Sequence, residues 1–346
     1  MAERIPFCDL SRALEPLRGE IIHAIDRVME RGWFLRGTET QRFEEEWAAY
    51  CGQKYCVACN SGTDALTLAA KALALHEVEV PANTLALTAI GLQQGGARVK
   101  LRDVDEDGQL PSAGSATVPV LLYGRLPNRV ELEAKLFDAA HAHGWHPPAH
   151  AVACWSFYPT KSLGALGDAG AVTTNDAGLA ELMVALSGRD DCFRDRRQIT
   201  SRMDELQAAT LRIKLRHLES WLAERRSIAD QYRHNLSGTV ALTSLNRDDL
   251  HHLFVVRTHR RDELRSKLSV NGIETKVHWK EPLHRMRAGW ADSEQSFLGA
   301  EAWCDSVLSL PCYPRLKEHE IRRICASIGE FFSTEGNERL PCEPHL

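Results

Sequence analysis

Between Lys54 and Leu75 the chain passes from a short apolar run, Tyr55-Cys-Val-Ala-Cys59, through a polar turn, Asn60-Ser-Gly-Thr-Asp64, into an Ala/Leu-rich helix. That succession constrains the fold most, because a strand handed directly to a helix needs further strands to pair with and a sheet face for the helix to cover. Strand candidates at residues 78–80, 98–104, 118–122, 135–138 and 169–174 supply them, with helical or turn-rich pieces between. The alternation predicts an α/β fold with a mostly parallel sheet. Ahead of it lie an amphipathic helix over 17–31, a Gly-containing joint over 31–37 and a helix over 39–50, which together read as an arm leading into the core. A long helical region over 203–236 is followed by hairpin-like and helical segments to about Phe332, predicting a smaller α+β domain. The expected boundaries are 1–236 for the large domain and 237–346 for the small one, with a loose polar tail from Ser333.

Size and charge bound the function. The chain has 346 residues, 44% of them hydrophobic, more than one small core usually organises. A formal net charge of −5 provides no positive field for nucleic acid or an anionic membrane. No run approaches the roughly 20 apolar residues of a membrane span, and the N-terminus lacks the apolar stretch of a signal peptide. Ten cysteines without framework spacing fit reduced thiols. The expectation is a soluble cytoplasmic protein with small-molecule partners.

Three constellations carry chemistry. Ser61-Gly62-Thr63 opens the helix after the first strand, where free N–H groups and the helix dipole suit a phosphate and Gly62 allows close approach. An ordinary capped helix reads the same way. No Gly-x-Gly-x-x-Gly fingerprint or Walker lysine loop occurs, so neither a dinucleotide nor a P-loop nucleotide is indicated. Phe137-Asp138-Ala-Ala-His141 ends an apolar strand in a carboxylate, suited either to a pyridine nitrogen in the ligand crevice or to a loop cap. His141, His143, His146 and His150 lack the Cys or acidic companions of a metal site, and no metal is expected. Ser156-Phe-Tyr-Pro-Thr-Lys161-Ser-Leu-Gly-Ala-Leu-Gly167 holds a lysine in a Gly-rich turn ahead of a strand. Burial there would lower its pKa and leave a nucleophilic amine.

The Lys161 stretch, continued as Asp168-Ala-Gly-Ala-Val172, resembles the lysine motif of the DegT/DnrJ/EryC1/StrS sugar aminotransferase family. Gly32-Trp-Phe-Leu-Arg-Gly37, Asn60-Ser-Gly-Thr-Asp-Ala-Leu66, Pro81-Ala-Asn-Thr84, Asp138-Ala-Ala-His141 and Ser201-Arg-Met-Asp-Glu-Leu-Gln-Ala208 resemble further family blocks in the family's order. The resemblance implies a fold-type I, aspartate aminotransferase-like enzyme that uses pyridoxal 5'-phosphate. Lys161 would be its Schiff-base lysine and Asp138 the partner of the ring nitrogen. His141 would meet the ring or its 3′-oxygen, and Gly62, Thr63 and Ser156 would hold the phosphate. Thr200 to Arg202 would enter from a second subunit, implying a homodimer with shared active sites. A lysine at 161, where deoxygenating relatives carry His, implies transamination.

Departures from the family pattern are Thr200, where relatives carry Asn, Leu85, where an aromatic ring is common, and short crossovers over 105–118 and 124–138. The stretch Gly272-Ile-Glu-Thr-Lys276-Val-His278 resembles the block of relatives acting on nucleotide-linked 3-keto-6-deoxyhexoses. It implies a dTDP-linked ketosugar acceptor, glutamate as donor, and Lys276 and His278 as substrate-binding residues; a strand with surface polar residues fits the same stretch. Two other readings remain open: a different chemistry or acceptor on the same cofactor, such as elimination or a cyclitol ketone, and a non-catalytic relative.

Overall fold

A computed structural model describes residues 3–128, 131–188, 196–242, 249–286, 290 and 296–333. Beyond Ser333, the tail expected to be loose lies outside the described residues.

The N-terminal arm comprises α1 (Leu10–Leu14), α2 (Arg18–Arg31) and α3 (Thr38–Cys51). In α2, Ile21, Ala24 and Val28 form one buried stripe, and Gly32 ends the helix in the left-handed conformation at φ 62°. The start of α3 is held from a distance: the Glu205 carboxylate accepts from the N–H groups of Gly37 (3.0 Å), Glu39 (2.9 Å) and Thr40 (2.9 Å). An anion at a helix N-terminus compensates both its free donors and its dipole.

The sheet is built from β1 (Tyr55–Cys59), β2 (Glu77–Pro81), β3 (Arg98–Arg102), β4 (Leu136–Asp138), β5 (Val152–Ser156) and β6 (Gly170–Thr174). β2 pairs in parallel with β3, and β4 with β5. β6 runs antiparallel to both β1 and β5. The stretch over 117–120 links the two groups through parallel bridges, Glu79 with Thr117 and Val120 with Asp138. All strands but β6 therefore point the same way. The helices α4 (Gly62–Ala72), α5 (Ala86–Gln94) and α6 (Ala177–Leu186) cover one face. On the other face pack Phe43 and Trp47 of α3, Trp155 of β5, Phe157, and Leu211 of α7 (Glu205–Leu215).

Two expectations need adjusting. Residues 118–122 form bridges rather than a full strand, since Pro119 offers no N–H to a ladder and Leu122–Gly124 turns into a 3-10 helix. β5 was not among the expected strands. Its residues are buried on both faces, so it lacks the polar alternation that marks a half-buried strand. The short crossovers are as expected: the described residues of 105–118 carry no helix, and those between Gly124 and Asp138 carry, as helix, only the 3-10 turn Glu131–Glu133.

The C-terminal sheet joins β7 (Ala241–Leu242), β8 (Phe254–Arg257) and β9 (Val307–Leu310), antiparallel throughout. Beside it lie α9 (Arg261–Val270), α10 (Leu298–Ser306) and α11 (Glu318–Ser333). Its core takes Ile228, Tyr232 and Leu236 from α8 (Leu218–Leu236), a helix whose other end gives Leu218 and Leu222 to the large sheet. Ile5 pairs with Ile273 and enters the C-terminal core, so the N-terminus ties the two ends of the chain together. Among the described residues, no helix is long and apolar enough to cross a membrane.

Candidate active site

Strand direction decides where the site forms. β1 delivers Ser61, β4 ends on Asp138 and β5 ends on Ser156, all at the carboxyl edge of the sheet, where α/β folds leave a crevice. Because β6 is antiparallel, the loop carrying Lys161 leaves and re-enters the sheet at that same edge. A cavity of about 340 Å³ opens there, lined by Gly62, Thr63, Asp138, His141, Ser156, Lys161, Lys276 and His278. Thr200 is exposed and does not line this chain's cavity. Leu85 lines it just ahead of α5.

Lys161 is half-buried, and its remaining surface faces the cavity. Burial disfavours the ammonium form and pulls the pKa down to about 8, against the attraction of Asp138. The loop is pinned by its own turn, Lys161 N–H to the Tyr158 carbonyl at 2.8 Å, and by the buried Lys214, which donates to the Gly164 carbonyl.

Asp138 is fixed by two donors. Thr88 Oγ1 reaches Oδ2 at 2.7 Å, and the Ala140 N–H reaches Oδ1 at 3.1 Å. Burial raises its pKa above the ordinary carboxylate value, partly offset by Thr88, Ala140 and Lys161. A carboxylate in this state gains from a cation brought against it.

His141 accepts a hydrogen bond at Nδ1 from the Tyr123 N–H at 3.1 Å. Burial, with repulsion from Lys161, holds its pKa well below normal. The ring is therefore neutral with its proton on Nε2, a donor rather than an acceptor toward the cavity. His252 packs against it with ring centroids 4.5 Å apart. The Tyr123 hydroxyl donates to the His278 carbonyl at 2.5 Å, and Trp303 Nε1 donates to that hydroxyl at 2.9 Å. Tyr123 thus ties the His141 loop to the segment bearing His278. His278 Nδ1 lies 2.9 Å from Ser309 Oγ, and burial plus Lys276 push its pKa down to about 4.

The start of α4 forms a cradle. Ser61 caps the helix by accepting from the Asp64 N–H at 3.1 Å, and the first-turn N–H groups of Gly62 and Thr63 stay outside the helical ladder. A Cβ on Gly62 would stand 2.7 Å from that of Ser156, so only glycine lets the two loops approach. Ser201 donates to Asp64 at 2.6 Å, pinning the 200–202 loop beside the cradle of its own chain while Thr200 points out.

These residues fit pyridoxal phosphate: an anion cradle, a buried carboxylate gaining from a ring cation, a neutral histidine donor and an amine with lowered pKa. The residues expected from local motifs line the one cavity, Thr200 excepted. Thr88 and Tyr123, whose partners lie 50 and 18 residues away, stand in no motif and were not expected there.

Known proteins resemble this chain in sequence and in fold. The profile of the DegT/DnrJ/EryC1/StrS aminotransferase family matches residues 16–117 and 129–329. A dTDP-3-amino-3,4,6-trideoxy-alpha-D-glucose transaminase of Streptomyces venezuelae is 38% identical over 365 aligned positions, covering 95% of this chain and 96% of the relative. A dTDP-3-amino-3,6-dideoxy-alpha-D-galactopyranose transaminase of Aneurinibacillus thermoaerophilus is 35% identical, covering 94% and 99%. The crystal structure of S. venezuelae DesV in complex with a ketimine intermediate superposes with a TM-score of 0.91 at 37% identity, over 98% of this chain and all of that one.

Proposed function

From the premise that the chain belongs to the DegT/DnrJ/EryC1/StrS aminotransferase family, we propose that it transfers an amino group from an amino acid to a nucleotide-linked keto-deoxysugar. The donor we propose is glutamate and the acceptor a dTDP-3-keto-6-deoxyhexose, the acceptor class supported by the names of the relatives. The observation that carries the reading is the Lys161 amine, lowered to about 8 and sharing one cavity with Asp138 and the Gly62–Ser156 cradle.

When bound, pyridoxal phosphate supplies a reactive aldehyde and a protonated ring that takes up the electron pair released at the donor α-carbon. Gly62, Thr63 and Ser156 would hold its phosphate. Asp138, oriented by Thr88 and Ala140, would keep the ring nitrogen protonated, and His141 Nε2–H would donate to the ring oxygen. Lys161 Nζ takes the proton from the donor α-carbon and returns one in the opposite half reaction. A pKa of about 8 leaves roughly a tenth of the amine neutral at pH 7, enough to serve in both directions. Lys276 and His278 would face the sugar nucleotide from the C-terminal side of the cavity.

We further propose a homodimer in which Thr200 and Arg202 reach the partner's cavity. Trp33, Phe34 and Leu35 are exposed, and the Glu205 N–H to Phe34 carbonyl bond (2.9 Å) sets them beside that loop as an apolar surface suited to a second copy. The described cysteines are thiols in no disulfide, which supports a reducing cytoplasmic setting.

Incubating the protein with pyridoxal phosphate, glutamate and a dTDP-3-keto-6-deoxyhexose tests the reading. We expect equal amounts of 2-oxoglutarate and dTDP-amino sugar. Amination of a different ketone, with none of this sugar, overturns the acceptor.

A further inference from the structure

Arg225 of α8 is only 4% exposed, yet it borders the same cavity as Lys161. Its Nη1 donates to the carbonyls of His252 (2.9 Å) and Cys312, with His251 at the edge of range at 3.5 Å. Its Nε is buried without a partner. Arg12 and Arg212, also largely withdrawn from solvent, are neutralised by Glu320 and by Glu39 with Glu46. Arg225 has no such ion pair among the described residues. Of the carboxylates lining the cavity, Asp138 is engaged by Thr88 and Asp168 is exposed on the Lys161 loop.

The groups around Arg225 do not supply the missing charge. Cys8 and Cys312 stay protonated because burial raises both thiols, and His252 and His278 stay neutral because burial lowers them. Lys276, on the same cavity with its ammonium 5.3 Å from the Phe7 ring centre, adds a second positive charge. A guanidinium held out of water costs free energy until an anion meets it, and carbonyl dipoles offset only part of that cost. The anion must come with a ligand.

We propose that Arg225 is the subsite that takes a carboxylate of the amino-acid donor, an assignment that rests on the aminotransferase reading above. Depth favours the donor over the acceptor. A small carboxylate reaches a nearly buried guanidinium, whereas a diphosphate bearing a nucleoside needs the open position that exposed Lys276 offers. With Nη1 spent on the carbonyls, the Nε–Nη2 edge of Arg225 is the fork left to match a carboxylate.

The test uses glutarate, a dicarboxylate with no amine to transfer, titrated into the pyridoxal phosphate-loaded protein by calorimetry. We expect Arg225→Gln to weaken glutarate binding by about 10–100-fold and Arg225→Lys to recover part of it. The half reaction with glutamate should lose a similar factor in kcat/KM, while the half reaction with the ketosugar changes little. A purely structural arginine would not produce that split. Glutamine as donor separates the two carboxylates: a loss for glutamate alone marks the side-chain carboxylate, and an equal loss for both marks the α-carboxylate. Unchanged glutarate binding in the variant, no glutarate binding by the wild type, or a loss confined to the ketosugar half reaction overturns the assignment. Should Arg225→Gln not fold, a crystal structure of the wild type with glutarate decides. A carboxylate on the Arg225 guanidinium supports the subsite, and one held elsewhere overturns it. If no amino group is ever transferred while glutarate binding still depends on Arg225, the aminotransferase reading falls and the anion subsite stands.

Discussion

The Thr88 hydroxyl donates to Asp138 Oδ2 at 2.7 Å, and this bond joins the first turn of α5 to the end of β4 inside the cavity wall. It orients the carboxylate, and a hydrogen bond to a charged group is worth about 1.5–3 kcal/mol. Thr88→Val keeps the shape and removes the donor, so kcat should fall about 10–100-fold with the fold intact. Thr88→Ser should retain most of the activity. Steady-state kinetics alongside thermal melts check both variants; equal rates for Val and wild type would remove Thr88 from the account.

Asp138 trades stability for function. Its folded pKa is raised above the unfolded value, so in the cofactor-free protein its contribution is present at low pH and is lost as pH rises through the folded pKa. Above the ordinary carboxylate range the cost of burying this group is in place. Asp138→Asn cannot ionise, and its amide can still meet Thr88, whose hydroxyl has Thr84 Oγ1 at 3.3 Å as an alternative acceptor. The cofactor-free variant should therefore melt no lower than wild type at pH 7, while transamination falls by at least about 100-fold, roughly the strength of a lost charge-assisted pair. A variant that is clearly less stable at pH 7 would contradict this.

Lys161 sets a pH dependence on cofactor capture. Only the neutral amine attacks the aldehyde, and burial lowers its pKa to about 8. The rate at which cofactor-free protein takes up pyridoxal phosphate should rise with pH and level off above about 8. Stopped-flow absorbance across pH 6–10 measures it. A rate that keeps climbing toward the ordinary lysine range would show a solvated amine.

Gly62 is held to its size by Ser156. A Cβ at 2.7 Å from the serine Cβ overpacks the contact, at a cost of about 1–3 kcal/mol, and pushes apart the two loops that form the cradle. Gly62→Ala should raise the Kd for pyridoxal phosphate by about 5–100-fold with less effect on kcat at saturating cofactor. A spectroscopic titration reads the difference.

The readable part of this molecule lay in short local patterns at strand ends. Ser61-Gly62-Thr63, Asp138, Ser156 and Lys161 each follow or end a strand of the large sheet, and a mostly parallel sheet brings such positions to one edge. Lys276 and His278 line the same cavity although their stretch fitted a surface strand equally well. What stayed hidden depends on contacts between distant parts of the chain. Thr88 looks like any helical threonine until β4 is placed beside it, and Tyr123 acts on His141 through its main chain, which no side-chain pattern reveals. Arg225 shares its helix with Arg226 and Arg233, and only folding singles it out as the buried one of the three. β5 was masked by full burial and the 117–120 segment by Pro119, both cases where tertiary context replaces the alternation from which strands are read.

The central claim is that Lys161 holds pyridoxal phosphate and carries the protons of an amino transfer. Its most direct test is the visible absorption spectrum of the protein with pyridoxal phosphate, recorded before and after glutamate and again after the dTDP-ketosugar, beside a Lys161→Ala variant. The account predicts a band of lysine-bound cofactor that glutamate bleaches and the ketosugar restores, absent from Lys161→Ala. A protein that forms no such band, or a Lys161→Ala variant that cycles like the wild type, would contradict it.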